Sequence, residues 1–259
     1  SAGQYVLDID GTINPNLEGV SIRDITFLSN NSTPDCIHIN KASNSTFYNV
    51  GVRNCRHGIV MTGTRTFSNY FEKVTAITAV SGKTLLLSSY TGGGNLTFNA
   101  CSFGGDTGVA DDSGGQIDGM TFTACNFEGC TTNAVYLIGK VRGLSFLGSR
   151  FEKNAGLNTI RIDPATSNHA YGIVVTGCWF ETDVENNAIV FGGSGQVVRG
   201  FSVQGNYVQD YATCFVNLNG EGQSGIVCGN VLISSVAAVN AVRPGVLVIN
   251  NELGGTAIA

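Results

Sequence analysis

A repeat of roughly 25 residues, a period typical of solenoid proteins, runs through nearly the whole 259-residue chain and limits the possible folds more than any other feature. Five segments align on one alternation of apolar and polar residues: 95–103, 119–127, 143–151, 172–180 and 200–208. Extending the alignment gives a column of mostly small or amide side chains, with one member in each repeat: Asn30, Cys55, Ala79, Cys101, Cys125, Ser149, Cys178, Asn206, Asn230 and Asn251. A self-similar period of this length predicts a solenoid in which each repeat forms one turn.

The solenoid should be built from β-strands. A second apolar segment follows most of the column residues, for example at 36–39, 134–137 and 188–191. The segments alternate with period two, are rich in β-branched residues and end at Gly, Asn or Asp, and no stretch has helical periodicity. We therefore predict an all-β, single-domain chain (1–259) whose repeats cover about residues 17–253, with about ten turns stacked roughly 4.8 Å apart. The 35 glycines fit the sharp corners of such turns.

Composition narrows the possible partners. The chain is 42% hydrophobic and 13% charged, which is enough apolar material for a long core. A net charge of −5 argues against a nucleic-acid partner, and no apolar run is long enough for membrane insertion. The sequence starts at Ser1 rather than Met, so we expect a processed or excised part of a longer chain.

The eight cysteines do not form a metal-binding pattern, because no C-x-x-C pair occurs. Four of them fall in the column beside Ala and Ser, so we interpret them as small, reduced core residues in a protein made in a reducing cytoplasm. No cofactor and no metal are expected. Where the column changes to Asn206, Asn230 and Asn251, we expect a ladder of hydrogen-bonded amides at a turn.

Three phrases carry a resemblance to a known family: Cys-Asn-Phe-Glu-Gly-Cys (125–130), Ser-Arg-Phe-Glu-Lys-Asn (149–154) and Cys-Trp-Phe-Glu-Thr-Asp (178–183). They resemble the right-handed parallel β-helices of the pectate-lyase-like superfamily, and most of all bacteriophage tailspikes. The resemblance implies a homotrimer in the virion tail, outside the cell, that binds or cuts a bacterial surface polysaccharide. The attachment and trimerisation domains of such proteins have no obvious counterpart here. Asp111 and Asp112 lack the Asn-Thr-Asp and Gly-His-Gly motifs of polygalacturonases, which argues against standard pectin hydrolysis.

Candidate site residues follow from strand alternation. If Phe127, Phe151 and Phe180 point inward, their neighbours point outward and stack on successive turns. Carboxylates on adjacent turns would lie about 5 Å apart, near the spacing of a retaining glycosidase pair, and repulsion would raise the pKa of one of them. The predicted catalytic residues are Glu128, Glu152 and Glu181, with Asp163 and Asp183 as further acids. The predicted substrate-binding residues are Arg150, Trp179, Tyr207 and Arg161. The alternative is that each Glu caps the backbone of its corner.

The outward positions of the second strand read as a mostly apolar stripe: His38, Val60, Leu86, Tyr136, Arg161, Val190 and Val216. Such a stripe needs cover, either from threefold packing of the chain or from a loop of the same chain.

Three functions remain open from the sequence. The first is a tailspike-like β-helix that binds and hydrolyses a bacterial surface polysaccharide. The second is a shaft or adhesin that binds glycan without cutting it. The third is a polysaccharide lyase, for which Arg161 with Asp163, or Asp183 with Glu181 and Glu185, would supply a base and a calcium cluster.

Overall fold

The computed structural model describes residues 5–12, 17–29, 34–64, 66–78, 81–90, 93–156, 158–165, 169–181, 187–193, 195–211, 213–220, 222–233, 237–240, 242–254 and 256–258. All of the regular elements in these ranges are β-strands. The first ten are β1 (Tyr5–Asp10), β2 (Ser21–Leu28), β3 (Asp35–Asn40), β4 (Thr46–Arg53), β5 (Ile59–Gly63), β6 (Tyr70–Glu72), β7 (Thr75–Ile77), β8 (Lys83–Tyr90), β9 (Gly93–Asn99) and β10 (Ser102–Gly104).

The next ten are β11 (Thr107–Asp111), β12 (Gln116–Thr123), β13 (Asn126–Glu128), β14 (Asn133–Leu137), β15 (Lys140–Leu147), β16 (Arg150–Glu152), β17 (Asn158–Ile162), β18 (His169–Tyr171), β19 (Val174–Thr176) and β20 (Trp179–Glu181). The last ten are β21 (Asn187–Phe191), β22 (Val197–Gln204), β23 (Tyr207–Gln209), β24 (Cys214–Leu218), β25 (Ser224–Cys228), β26 (Val231–Leu232), β27 (Ala237–Asn240), β28 (Val246–Ile249), β29 (Asn251–Leu253) and β30 (Thr256–Ile258).

The strands form a parallel β-solenoid, as the repeat predicts. Ten strands stack in one sheet, in the order β1-β3-β5-β8-β11-β14-β17-β21-β24-β27, and the other twenty form a second sheet. In a typical turn, a strand of the first sheet is followed by a long strand and then a short strand, for example β11, β12 and β13. The solenoid has about eight turns rather than the ten expected. Among the described strands, all pairs are parallel except β29 with β30 at the C-terminal end.

Stacked phenylalanines fill the core between the sheets. One stack belongs to the long strands and their equivalents, with neighbouring ring centroids 4.7 to 5.0 Å apart: Phe47, Phe71, Phe98, Phe122 and Phe146. A second belongs to the short strands, with centroids 4.7 to 5.0 Å apart: Phe103, Phe127, Phe151 and Phe180. Rings of the two stacks meet edge to face at 5.5 to 6.0 Å. These contacts hold successive turns in one register, since each aromatic pair adds about 0.5–1.5 kcal/mol beyond its buried area.

The predicted column is correct from Cys101 to Asn251 and wrong for the first turns. Strand pairing puts Ile25, Val50 and Val74 in register with Cys101, whereas Cys55 lies five residues after Val50, at the next corner. Asn30 and Ala79 lie outside the described residues. The physical reason is that each turn has two corners five residues apart. Val50 follows the inward Phe47 by three positions, and Cys55 follows the inward Val52 by three, so the sequence pattern is the same at both corners.

The asparagine ladder is confirmed. The side-chain Oδ1 of Asn206 accepts a hydrogen bond from the backbone N–H of Cys178 at 2.9 Å, and Asn230 and Asn251 accept in the same way from Asn206 and Asn230 at 3.0 and 3.2 Å. Each Nδ2 donates to a carbonyl oxygen of the preceding turn: that of Val175, Val203 or Val227. All three amides are buried, so the ladder satisfies polar groups that water cannot reach.

In the corrected column, which runs from Ile25 to Asn251, the residue just before each member has a left-handed backbone, with φ between 50° and 64°. These residues are Asp24, Asn49, Lys73, Ala100, Ala124, Gly148, Gly177, Gly205, Gly229 and Asn250. Glycine relieves this strain in the turns that contain Ser149, Cys178, Asn206 and Asn230, whereas alanine accepts it in two others. Recurrent left-handed corners therefore account for part of the glycine content.

All eight cysteines are free, as predicted, and only Cys228 is partly exposed. Burial raises the pKa of the Cys178 and Cys214 thiols to about 11, because a thiolate would lose its hydration inside the core. Both are therefore protonated at neutral pH and act as small core side chains.

Candidate functional site

The six residues predicted on the short strands lie together on the outer face of the solenoid. Glu128 is in register with Glu152, and Glu152 with Glu181. The neighbouring column contains Arg150, Trp179 and Tyr207 on successive turns. We call these six residues the acidic strip. The strip exists because each of these short strands has an inward Phe or Val between two outward neighbours.

Each glutamate of the acidic strip has a different local partner. Glu128 accepts from the Lys153 ammonium at 3.3 Å and from the Asn126 amide at 3.2 Å. Glu152 is only 8% exposed and forms an ion pair with Arg150. Glu181 accepts from the indole N–H of Trp179 at 3.2 Å. Nearby cations and donors therefore offset the repulsion among three stacked carboxylates.

The pKa of Glu128 lies below its ordinary value, first because Lys153 donates to the carboxylate and second because Asn126 does. This direction is opposite to the raised pKa that mutual repulsion would give. Glu128 is consequently ionised at neutral pH and suits the role of a base or nucleophile rather than an acid.

The aromatic end of the strip is a pair of stacked rings, which we call the Trp179–Tyr207 platform. Trp179 is 38% exposed, and its ring stacks on Tyr207 with centroids 4.4 Å apart. The Arg150 guanidinium lies 5.9 Å from the centroid of the indole. The exposed part of this stacked pair, beside charged and hydrogen-bonding groups, offers apolar area and polar atoms that a sugar ring can contact.

A groove of about 610 Å³ continues the strip on the other side of Glu128. Its residues come from three successive turns: Thr75, Ile77, Thr78, Ser102, Phe103, Gly104, Gly105, Asn126, Glu128, Gly129 and Thr131. The outward column that contains the three glutamates of the strip, here called the outer column, continues through Gly104 to Ile77. We call the groove the Gly104 notch, because Gly104 has no side chain to fill its place between Ile77 and Glu128. This groove was not predicted from the sequence, although the glycine at this column position was the available signal.

Arg161 and Asp163 lie apart from the acidic strip, on the outer face of the first sheet. The Arg161 guanidinium donates to Asp163 Oδ2 at 2.6 Å and lies 5.5 Å from the Tyr136 ring centroid. A groove of about 560 Å³ with Lys83, Asn133 and Asn158 borders Arg161 and Tyr136. Asp183 lies outside the described residues, as does Glu185.

The expected apolar stripe needs two corrections. Val216 is in register with Ile189 and points into the core, while Asn217 occupies the outward position beside Val190. The outward members Val60 and Leu86 are only 4% and 6% exposed in the single chain. Packing within the chain already covers these side chains, since their neighbours on adjacent strands lie against them, so the stripe offers little apolar area to a partner.

Two kinds of feature, a metal-binding cluster and a membrane-spanning helix, are absent from the residues that the structure describes. No group of three His, Cys, Asp or Glu side chains is arranged to hold a metal ion there. Within the same ranges, no helix is long and apolar enough to cross a membrane.

Comparison with known proteins shows the fold. The chain superposes on the tailspike protein of E. coli bacteriophage HK620 (a double mutant) with a TM-score of 0.55 and 12% identity, covering 94% of this chain and 56% of that one. It also matches pectate lyase Pel9A, at 15% identity and a TM-score of 0.48, over 94% of this chain and 69% of the lyase. No protein-family model matches the sequence, and no curated protein gives a match.

The chain thus has the parallel β-helix fold found in this tailspike, as the resemblance in sequence implied. It spans just over half the length of that tailspike.

Proposed function

We propose that the protein is a tailspike-like β-helix that binds a bacterial surface polysaccharide along the acidic strip and hydrolyses it. The observation that carries the proposal is the alignment, on one outer face, of the Trp179–Tyr207 platform with three carboxylates and the Gly104 notch. A glycan chain running along the solenoid axis would contact all of them, because the turns stack at about 4.8 Å.

The two accessible carboxylates suit the two roles of an inverting glycosidase. Glu128 and Glu181 lie two turns apart, or about 10 Å, at the upper edge of the separation that leaves room for a water molecule. Ionised Glu128 would accept a proton from the water that attacks the anomeric carbon. Glu181 would donate a proton to the departing glycosidic oxygen. Buried Glu152 lies between them and holds Arg150, so it serves as a positioning residue.

The test uses purified capsular and O-antigen polysaccharides, with new reducing ends as the readout. Glu128→Gln and Glu181→Gln should each lower the rate about 10²- to 10⁴-fold, the usual contribution of a general acid or base. Glu252→Gln is the matched control, since Glu252 lies on the same outer face two turns beyond Tyr207. Full activity in both strip variants would refute the catalytic roles.

A second candidate is glycan binding without cleavage. It is favoured by the fact that every glutamate of the strip already has a partner within the chain, as a purely structural carboxylate would. This candidate predicts saturable binding that Trp179→Ala weakens, with no new reducing ends. A lyase would instead give products with the ultraviolet absorbance of an unsaturated uronide.

We further propose that the chain acts as a homotrimer at a phage tail, outside the bacterial cell. The support is the likeness in fold to a tailspike, whereas the apolar stripe contributes little. Light scattering tests the assembly: a mass three times that of the 27.1 kDa chain is expected, and a monomer at all concentrations would exclude a trimer of this chain.

A further inference from the structure

The Gly104 notch is a permanent feature of the backbone. A Cβ atom added to Gly104 would lie 2.8 Å from the carbonyl oxygen of Glu128. At Gly105, where φ is +144°, it would lie 2.1 Å from Thr78 Oγ1. Neither position can carry a side chain without moving the backbone or a packed neighbour, so the gap in the outer column stays open.

The walls of the notch select for uncharged groups. Ile77 is 47% exposed and lines the notch together with Phe103 and Gly104. Thr75, Ser102 and Thr131 add hydroxyl groups, and none of the described residues that line the notch is basic. Among those residues Glu128 is the single charge, and Lys153 outside the notch pairs with it, so the lining offers no cation for a carboxylate or phosphate on the ligand.

The notch also contains an amide with spare hydrogen-bonding capacity. Asn126 donates through Nδ2 to Glu128, whereas its buried Oδ1 has no hydrogen-bond partner among the described residues. A small group with a methyl and a carbonyl matches the apolar wall and the hydroxyls, which can donate to the carbonyl oxygen, and an N–H beside that carbonyl would in addition donate to Asn126 Oδ1. The acetyl substituent of a sugar is such a group.

We propose that the Gly104 notch is a specificity site for an acetyl group, N-linked or O-linked, on one sugar of the bound glycan. The inference rests on the proposed polysaccharide-binding function. The notch begins at Glu128, so the acetylated sugar would lie next to the carboxylates. Burying the methyl against Ile77 should improve binding about tenfold or more, as one methyl-sized group does in an apolar site.

The experiment compares binding to one polysaccharide in four forms. These are the native polymer, the polymer after mild alkali has removed O-acetyl groups, the N-deacetylated polymer, and the N-deacetylated polymer after N-formylation. The formyl form restores a neutral amide without the methyl. Binding is measured by calorimetry on the Glu181→Gln variant, so that hydrolysis does not alter the ligand.

We expect native polymer to bind at least about tenfold more tightly than the form lacking the relevant acetyl or its methyl. A loss on mild alkali treatment identifies an O-acetyl group, and a loss with both the N-deacetylated and the N-formylated forms but not after mild alkali identifies an N-acetyl group. Ile77→Glu should abolish the difference between the forms. Ile233→Glu is the matched control, because Ile233 is 48% exposed at the other end of the same outer column and should leave the preference intact.

The outcomes separate this inference from the proposed function. Equal binding of all four forms, or a preference that survives Ile77→Glu in a folded variant, would overturn the acetyl site and leave polysaccharide binding intact. Absence of binding to every polysaccharide that the proposed function requires would overturn both. Acetyl preference without any hydrolysis by the unmodified protein would support the site and reject the hydrolase.

Discussion

Asn230 is the central member of the asparagine ladder, and its replacement by Ala should strongly destabilise the solenoid. The side chain is fully buried, with 0% exposure. Its Oδ1 accepts from the backbone N–H of Asn206 at 3.0 Å, and its Nδ2 donates to the carbonyl of Val203 at 3.1 Å. Truncation leaves both backbone groups buried without this partner.

The size of the effect follows from those two groups. Each buried polar group left unpaired costs about 1–3 kcal/mol, so the free energy of unfolding should fall by about 2–6 kcal/mol. Asn230→Ser should cost less, because Ser149 occupies the same column and makes both kinds of contact. Its Oγ accepts from the Cys125 N–H at 3.2 Å and donates to the Phe122 carbonyl at 3.3 Å.

Cys125→Ala is the matched control in the same column. The Cys125 thiol makes only long contacts, such as 3.4 Å to the Phe98 carbonyl, so its loss should cost about 1 kcal/mol. All three variants are compared by urea unfolding, followed by circular dichroism and by fluorescence of the single Trp. If Asn230→Ala were no more destabilising than Cys125→Ala, the argument that the ladder satisfies buried backbone groups would be refuted.

Three further predictions concern the corners, a buried acid and the thiols. Gly177→Ala should lower the free energy of unfolding by about 1 kcal/mol while Ala124→Gly raises it slightly, because both positions are left-handed with φ of 64° and 51°; equal effects in urea melts would contradict this. Burial raises the pKa of Asp111 above its unfolded value, so stability should fall as pH rises from the unfolded-state pKa to the folded-state one. Asp111→Asn should remove that fall, and an unchanged pH profile of unfolding would count against it. A thiol reagent should modify only Cys228 quickly in the native protein and all eight cysteines after unfolding; a lower total would indicate a disulfide.

The sequence was sufficient to predict the solenoid because stacking requires like residues at like positions of each repeat. The rings of Phe122 and Phe146 lie 5.0 Å apart although they belong to different repeats. The register of the first turns could not be predicted as well. Val50 and Cys55 each follow an inward side chain by three residues, so a search for the repeated pattern can choose either corner.

The acidic strip was predictable for the same reason, and its charge balance was not. Alternation around Phe151 and Phe180 put Glu152 and Glu181 on one outer face, which strand pairing confirms. The Lys153 partner of Glu128 follows the next short strand and reaches back one turn, a direction that depends on its left-handed corner, with φ of 49°. Side-chain direction at a corner does not follow from alternation along a strand.

Functional surfaces in this fold assemble across turns rather than along the chain. Ile77, Gly104 and Glu128 are far apart in sequence, yet all three line the Gly104 notch because strand pairing stacks them. An insertion of one residue within a strand would shift every later residue of that strand by one position and turn inward side chains out. The spacing between column residues nevertheless varies from turn to turn, and the extra residues are taken up at corners, in loops and at local register shifts such as the one between Arg199 and Phe201. A surface of this kind therefore depends on the spacing between turns as much as on the residues themselves.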